Sequence, residues 1–67
     1  MNNENLNETN VLRIWDVKRR IGLSKSTIYR LIAKRDFPKR IRLSTGTVGW
    51  VDADLRAWIQ ERRTPLE

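Results

Sequence analysis

A chain of 67 residues that contains neither cysteine nor histidine has few ways to hold a fold. A domain of this size buries only about 60% of the surface its unfolded chain exposes, and many such domains add disulfides or a structural metal. Neither device is available here, so apolar packing must hold the chain as one domain at most. A hydrophobic content of 39% with three Trp makes that feasible. The same two absences exclude thiolate nucleophiles, His-based acid-base catalysis and zinc sites built from Cys and His. No enzyme is therefore expected, and neither a cofactor nor a small-molecule ligand is implied. The chain lacks both an apolar run of about eighteen residues and an apolar segment near its start, so neither a membrane span nor a signal peptide is expected. A soluble, intracellular protein is the expectation.

Residues 1–10 are rich in Asn, carry two acids and no base, and hold one apolar side chain beyond Met1. That is too little to offset the entropy of ordering them, so they read as a disordered tail. Four apolar periods follow. Ile14, Trp15, Val17 and Ile21 interleave with Asp16, Lys18, Arg19 and Arg20, and the spacing of Val17 and Ile21 predicts a short helix that Gly22 ends in a left-handed C-cap. Ser24 is a strong N-cap for a second helix, because its hydroxyl can accept from the amides of Ser26 or Thr27. At about 100° per residue, Leu31 and Ile32 fall on the Ile28 side of that helix, whereas Ser26, Arg30 and Ala33 point away from it. Phe37-Pro38 is expected to stop it, since proline disfavours the α region for the residue before it.

Two β-prone runs come next, residues 39–43 and 48–51, around the Gly-containing turn Ser44-Thr45-Gly46-Thr47, which is a hairpin signal. Period-two alternation puts Ile41 and Leu43 toward the core and Arg40 and Arg42 toward solvent. Asp52 is expected to cap a last helix whose Leu55, Trp58 and Ile59 share a face, with Asp54 complementing the dipole and Pro65 as terminator. The fold expected is mainly α with a small β-hairpin, in the order α-α-β-β-α. Residues 11–63 form the domain and 64–67 a C-terminal tail.

A short helix, a tight Gly22-Leu23-Ser24 connection and a longer helix with one polar face follow helix-turn-helix grammar. The second helix of that motif enters the DNA major groove with its N-terminal residues at base edges. Charge agrees: the whole chain is net +6, and residues 18–42 hold ten basic residues against one acid, Asp36. Such a field supplies the counterion-release component of duplex binding, though not sequence choice.

Gly22-Leu23-Ser24-Lys25-Ser26-Thr27-Ile28-Tyr29-Arg30-Leu31, then Phe37-Pro38-Lys39, Val48-Gly49-Trp50 and Asp54-Leu55 with Trp58 together resemble the AlpA family of small prophage transcriptional regulators. The resemblance covers about residues 12 to 60. It implies a winged helix-turn-helix fold similar to the DNA-binding end of MerR-type regulators and to phage excisionases, with the hairpin as the wing. It implies activation of integrase-type genes or excision of mobile elements. Wings of that family often carry a base near the tip, where this chain has hydroxyls, so wing contact here is expected through hydroxyls and amides. The expected DNA-contacting set is Ser24, Lys25, Ser26, Thr27, Tyr29, Arg30, Arg42, Thr45 and Thr47. The expected partner is double-stranded DNA, bound with cooperative self-association on repeated sites.

Other readings stand beside this one. An architectural excision factor that bends DNA beside an integrase uses the same residues. A basic protein-interaction module would instead dock an acidic partner. RNA is disfavoured, because no strand carries the paired aromatic residues that base-stacking sheets use. Trp15, Phe37, Trp50 and Trp58 are expected in the core, since each large ring can bury about 150 to 250 Å². Arg19 and Arg20 suit a helix C-terminus whatever the function, and Lys34, Arg35, Arg56, Arg62 and Arg63 suit solubility.

Overall fold

A computed structural model of the chain describes residues 10–63 and residue 65. The expectations for residues 1–9 and for residues 64, 66 and 67 lie outside the described residues. The described elements are β1 (Val11–Leu12), α1 (Ile14–Ile21), α2 (Lys25–Ala33), β2 (Ile41–Ser44), β3 (Thr47–Val51) and α3 (Asp52–Glu61). This is the winged helix-turn-helix arrangement with one addition, the two-residue strand β1. The sheet order is β1-β3-β2, antiparallel throughout. No described helix is long and apolar enough to cross a membrane.

The two helices of the motif begin and end as their sequences dictate. Gly22 takes the left-handed conformation at φ 70° and closes α1, its N–H donating a hydrogen bond to the Lys18 carbonyl at 2.9 Å. Ser24 caps α2, its Oγ accepting from the Thr27 amide at 3.2 Å. The end of α2 differs from expectation. The helix stops at Ala33, well before Pro38, because Arg35 turns left-handed at φ 60°. The Arg35 amide then donates to the Ile32 carbonyl at 2.9 Å and the Asp36 amide to the Leu31 carbonyl at 2.8 Å. That pair of bonds is the Schellman motif, whose left-handed position usually holds glycine.

The core comprises Leu12, Val17, Ile28, Phe37, Trp50 and Leu55, with Ile14, Ile21, Leu23, Leu31, Ile32, Trp58 and Ile59 half-buried against it. Every element but β2 sends a side chain into the central six or to their edge. The Phe37 ring meets Trp58 at 4.8 Å and Trp50 at 6.2 Å, both edge-on, the arrangement aromatic quadrupoles favour. The Trp50 indole N–H is buried without an acceptor among the described residues. Such a donor costs about 1–3 kcal/mol, which the burial of the largest ring in the core must exceed.

Ile41, expected inward, is only half-buried and joins no part of the core cluster, and two further core expectations fail for local reasons. Trp15 is 65% exposed. On α1 the inward positions are Ile14, Val17 and Ile21, at helical spacing, and Trp15 lies off that stripe. Leu43 is 44% exposed. Arg42 pairs with Val48 and Ser44 with Thr47, which leaves Leu43 as the extra residue of a bulge and breaks the simple alternation.

Gly49 explains how β1 fits. A Cβ at this position would lie 2.6 Å from Val11 Cγ1 and 2.9 Å from the Leu12 carbonyl oxygen. The first is a rotatable methyl group, but the second is backbone fixed by the pairing of β1 with β3. Only glycine lets the two strands lie this close. Gly49→Ala is expected to displace β1 and to lower stability by about 1–3 kcal/mol, read as the shift in urea midpoint. Arg35→Gly should do the opposite, raising stability by about 0.5–1 kcal/mol by relieving the left-handed arginine. A melting temperature no higher than that of the unsubstituted chain would contradict this.

Candidate nucleic-acid interface

α2 presents its polar side to solvent because its apolar side is held. Ile28 is fully buried, Leu31 and Ile32 pack against the core, and Lys25, Ser26, Tyr29 and Arg30 are exposed. The outward face is therefore short, hydroxyl-bearing and cationic. No acidic residue occupies its first turn, so the positive end of the helix dipole and its free amides are left uncompensated by a local carboxylate.

The two remaining predicted residues of this segment face each other at its start. Ser24 Oγ accepts from the Thr27 amide and donates to Thr27 Oγ1 at 2.9 Å. The Ser24 hydroxyl is thereby engaged in capping. Thr27 is half-buried, and its hydroxyl accepts from Ser24 while retaining one proton of its own. The other three predicted residues lie on the hairpin. Arg42 is exposed on β2, Thr45 is exposed in the two-residue turn, and Thr47 is half-buried opposite Ser44. The structure thus gathers Lys25, Ser26, Tyr29 and Arg30 on one face of one helix, with Arg42, Thr45 and Thr47 on a separate element.

One carboxylate links the helix that precedes α2 to the residue that follows the hairpin. Asp52 was expected to cap α3 through its side chain, but it makes no such bond and instead occupies the first helical position with only 2% of its surface exposed. Its Oδ1 accepts from Arg20 Nη1 at 2.6 Å, and its Oδ2 from Arg56 Nη2 at 2.6 Å and Nε at 3.0 Å. Arg20 ends α1, whereas Asp52 directly follows β3, so the pair ties the helix-turn-helix unit to the hairpin. Burial alone would raise the Asp52 pKa. Hydrogen bonds from Arg20 and then Arg56, with the charges of both, outweigh burial and hold it below its ordinary value of 3.8. Arg20 and Arg56 are thus structural partners, which corrects the solubility role expected of Arg56.

A third cation, Arg62, is likewise structural, which also corrects the solubility role expected of it. Arg62 pairs with the Asp36 carboxylate and lies 4.4 Å over the Trp58 ring, while Trp58 Nε1 donates to the Asp36 carbonyl at 3.1 Å. These bonds anchor the segment between α2 and β2 onto α3. Asp36, the one acid among residues 18–42, is thereby occupied. Asp16 is too, accepting from Arg19 at 2.9 Å and from the Arg13 amide at 3.2 Å.

Sequence reasoning missed two features that bear on this face. Trp15 was placed inside, although the phase of Ile14, Val17 and Ile21 already turned it outward. The Arg20 to Asp52 bond joins residues far apart in the chain and had no local signal, but Asp52 and Arg56 stand at the i, i+4 spacing of a helical ion pair.

Comparison with known proteins yields three matches. A family model described as Prophage CP4-57 regulatory protein (AlpA) matches residues 10–63. The chain is 41% identical over 51 residues to ORF88 of Enterobacteria phage P4, a stretch that covers 76% of this chain and 58% of that protein. It is 29% identical over 64 residues to the DNA-binding transcriptional activator AlpA of Escherichia coli (strain K12), covering 87% of this chain and 91% of that one. The chain thus spans less than two thirds of the phage P4 relative's length.

Because the folded-state pKa of Asp52 is depressed, its contribution to stability is fully present above the unfolded-state value and is lost as pH falls through the folded-state value. Unfolding midpoints should therefore hold near neutrality and drop below about pH 4. Asp52→Asn should be less stable at pH 7 by about 1–3 kcal/mol and show a shallower acid limb. Parallel acid limbs for the two proteins would show that the Asp52 pKa is not lowered.

Proposed function

The chain belongs to the AlpA family of prophage regulatory proteins, and from that premise we propose that it regulates transcription of a prophage or mobile element by binding double-stranded DNA sequence-specifically. In this reading α2 lies in the major groove and the β2-β3 hairpin braces the sugar-phosphate backbone. The observation that carries it is the division of α2, with Ile28 fully buried and Lys25, Ser26, Tyr29 and Arg30 exposed together.

Each residue has a distinct chemical part. Arg30, one turn into the helix and opposite Ile28, suits the bidentate contact by which guanidinium reads guanine O6 and N7. Ser26 can reach a base edge. Lys25 and the Thr27 hydroxyl suit phosphates at the helix start, where free amides and the dipole also favour an anion. Ser24 contributes by holding that start in shape. Tyr29 can lay its ring on the edge of the domain while its hydroxyl meets a phosphate. On the wing, Arg42 supplies charge, and Thr45 and Thr47 supply hydroxyl and amide donors. The relative called a DNA-binding transcriptional activator supports the same reading.

A single helix of this length reads a short site, so copies bound side by side on repeated sites would supply the remaining discrimination. The operator can be located by footprinting on DNA flanking the gene. Binding to it should weaken steeply with salt. Arg30→Ala should leave the melting curve unchanged and lower the operator-to-random affinity ratio by the equivalent of about 1–3 kcal/mol. An unaltered ratio in an anisotropy titration would remove the base-reading role of Arg30.

A further inference from the structure

Trp15 is the most exposed large apolar side chain among the described residues, and it belongs to no part of the hydrophobic cluster. It stands in the first turn of α1 with two ammonium groups over its ring. Lys18 Nζ lies 5.8 Å and Lys25 Nζ 5.7 Å from the ring centre. Lys18 belongs to α1, whereas Lys25 opens α2, so the indole spans the junction of the two helices. A shallow depression continues from it past Gly22, Leu23 and Ser24 to the start of α2. The adjacent acid, Asp16, is already neutralised by Arg19.

The indole adds little packing to the fold, since most of its surface stays in water while its ring gathers two ammonium groups from two helices, and that pairing of apolar area with charge suits a partner. The surroundings specify the chemistry of that partner. An apolar ring with two ammonium groups lying over it, continuous with the polar start of α2, complements a strand in which apolar deoxyribose alternates with phosphate. Neutralised phosphates tolerate the nearby ring, and the ring gains area against sugar without reading a base.

We infer that Trp15 is part of the duplex-contacting surface: its ring packs against the sugar-phosphate backbone while Lys18 and Lys25 neutralise the flanking phosphates. The inference rests on the DNA-binding reading above and extends the interface from α2 onto α1. Because the contact touches no base edge, it strengthens operator and random duplex alike. That separates it from Arg30, whose part is discrimination.

The test is an anisotropy titration of the full chain against a labelled operator duplex and a scrambled duplex of equal length, over a series of salt concentrations. Trp15→Ala is expected to weaken both by about tenfold, leaving their ratio and the salt slope unchanged, since an uncharged ring releases no counterion. Trp15→Phe should retain most of the affinity. Lys18→Ala and Lys25→Ala should each reduce the salt slope by about one. Acrylamide quenching of the unsubstituted protein gives an independent readout, because Trp50 is buried and Trp58 half-buried. Duplex should protect the accessible fluorescence, and Trp15→Phe should abolish that protection. Full duplex affinity in Trp15→Ala, or quenching that duplex does not alter, overturns the inference while leaving DNA binding by α2 intact. If the unsubstituted chain binds neither duplex, the DNA-binding reading itself fails and this inference with it.

Discussion

The Asp52 carboxylate joins the end of α1 to the start of α3, and through β3 to the hairpin, so the geometry of any two-element interface depends on it. Isolated, a buried carboxylate would be strongly unfavourable. Here both its oxygens accept from guanidinium groups that remain partly in water, with Arg20 40% and Arg56 66% exposed at the side chain. The cations therefore lose little hydration, and only the anion is fully withdrawn from solvent. Under those conditions the net stabilisation is modest, but the directional demand is strong. Apolar contacts among Val17, Ile28 and Leu55 would allow small rotations of α1 against α3. A carboxylate gripped from two sides does not.

The segment between α2 and β2 follows a similar logic on a smaller scale. Arg35 in a left-handed conformation ends the helix early, which swings Asp36 and Phe37 toward α3. Phe37 then fills the space between Trp50 and Trp58, and Asp36 takes its bonds from Trp58 and Arg62. Proline at position 38 follows a turn that is already complete. The stop signal lies in the backbone hydrogen bonds of residues 31–36, where no glycine marks it.

Features that arise within a few residues were legible. Gly22 and Ser24 state the end of one helix and the beginning of the next, and the phase of Ile28, Leu31 and Ile32 states which side of α2 faces out. The hairpin was legible too, from its two β-prone runs and their turn. What the sequence did not reveal depends on distant partners or on broken periodicity. β1 is too short to show alternation, and it exists because Gly49, far along the chain, leaves room for it. Leu43 obeyed the alternation rule on paper, but a bulge shifted its register. Trp15 shows a different failure, since ring size was weighed above helical phase. The roles proposed for the candidate contact residues rest on chemistry and, for most of them, on outward position, and their readout belongs to binding experiments.

β1 has a topological consequence. Its pairing with β3 brings the first described residues back against a strand near the other end, with the Asp52 amide bonded to the Asn10 carbonyl at 2.8 Å. The loop so closed contains most of the domain, and this clasp holds its two ends together only in the folded state, whereas a covalent crosslink would constrain the unfolded chain as well. The clasp is held by a few backbone bonds and by Leu12 in the core, so its release also opens one side of that core. Tension on the leading end, from a fused partner or from an unfolding machine, would strip this edge first and leave the helical pair and hairpin to resist afterward.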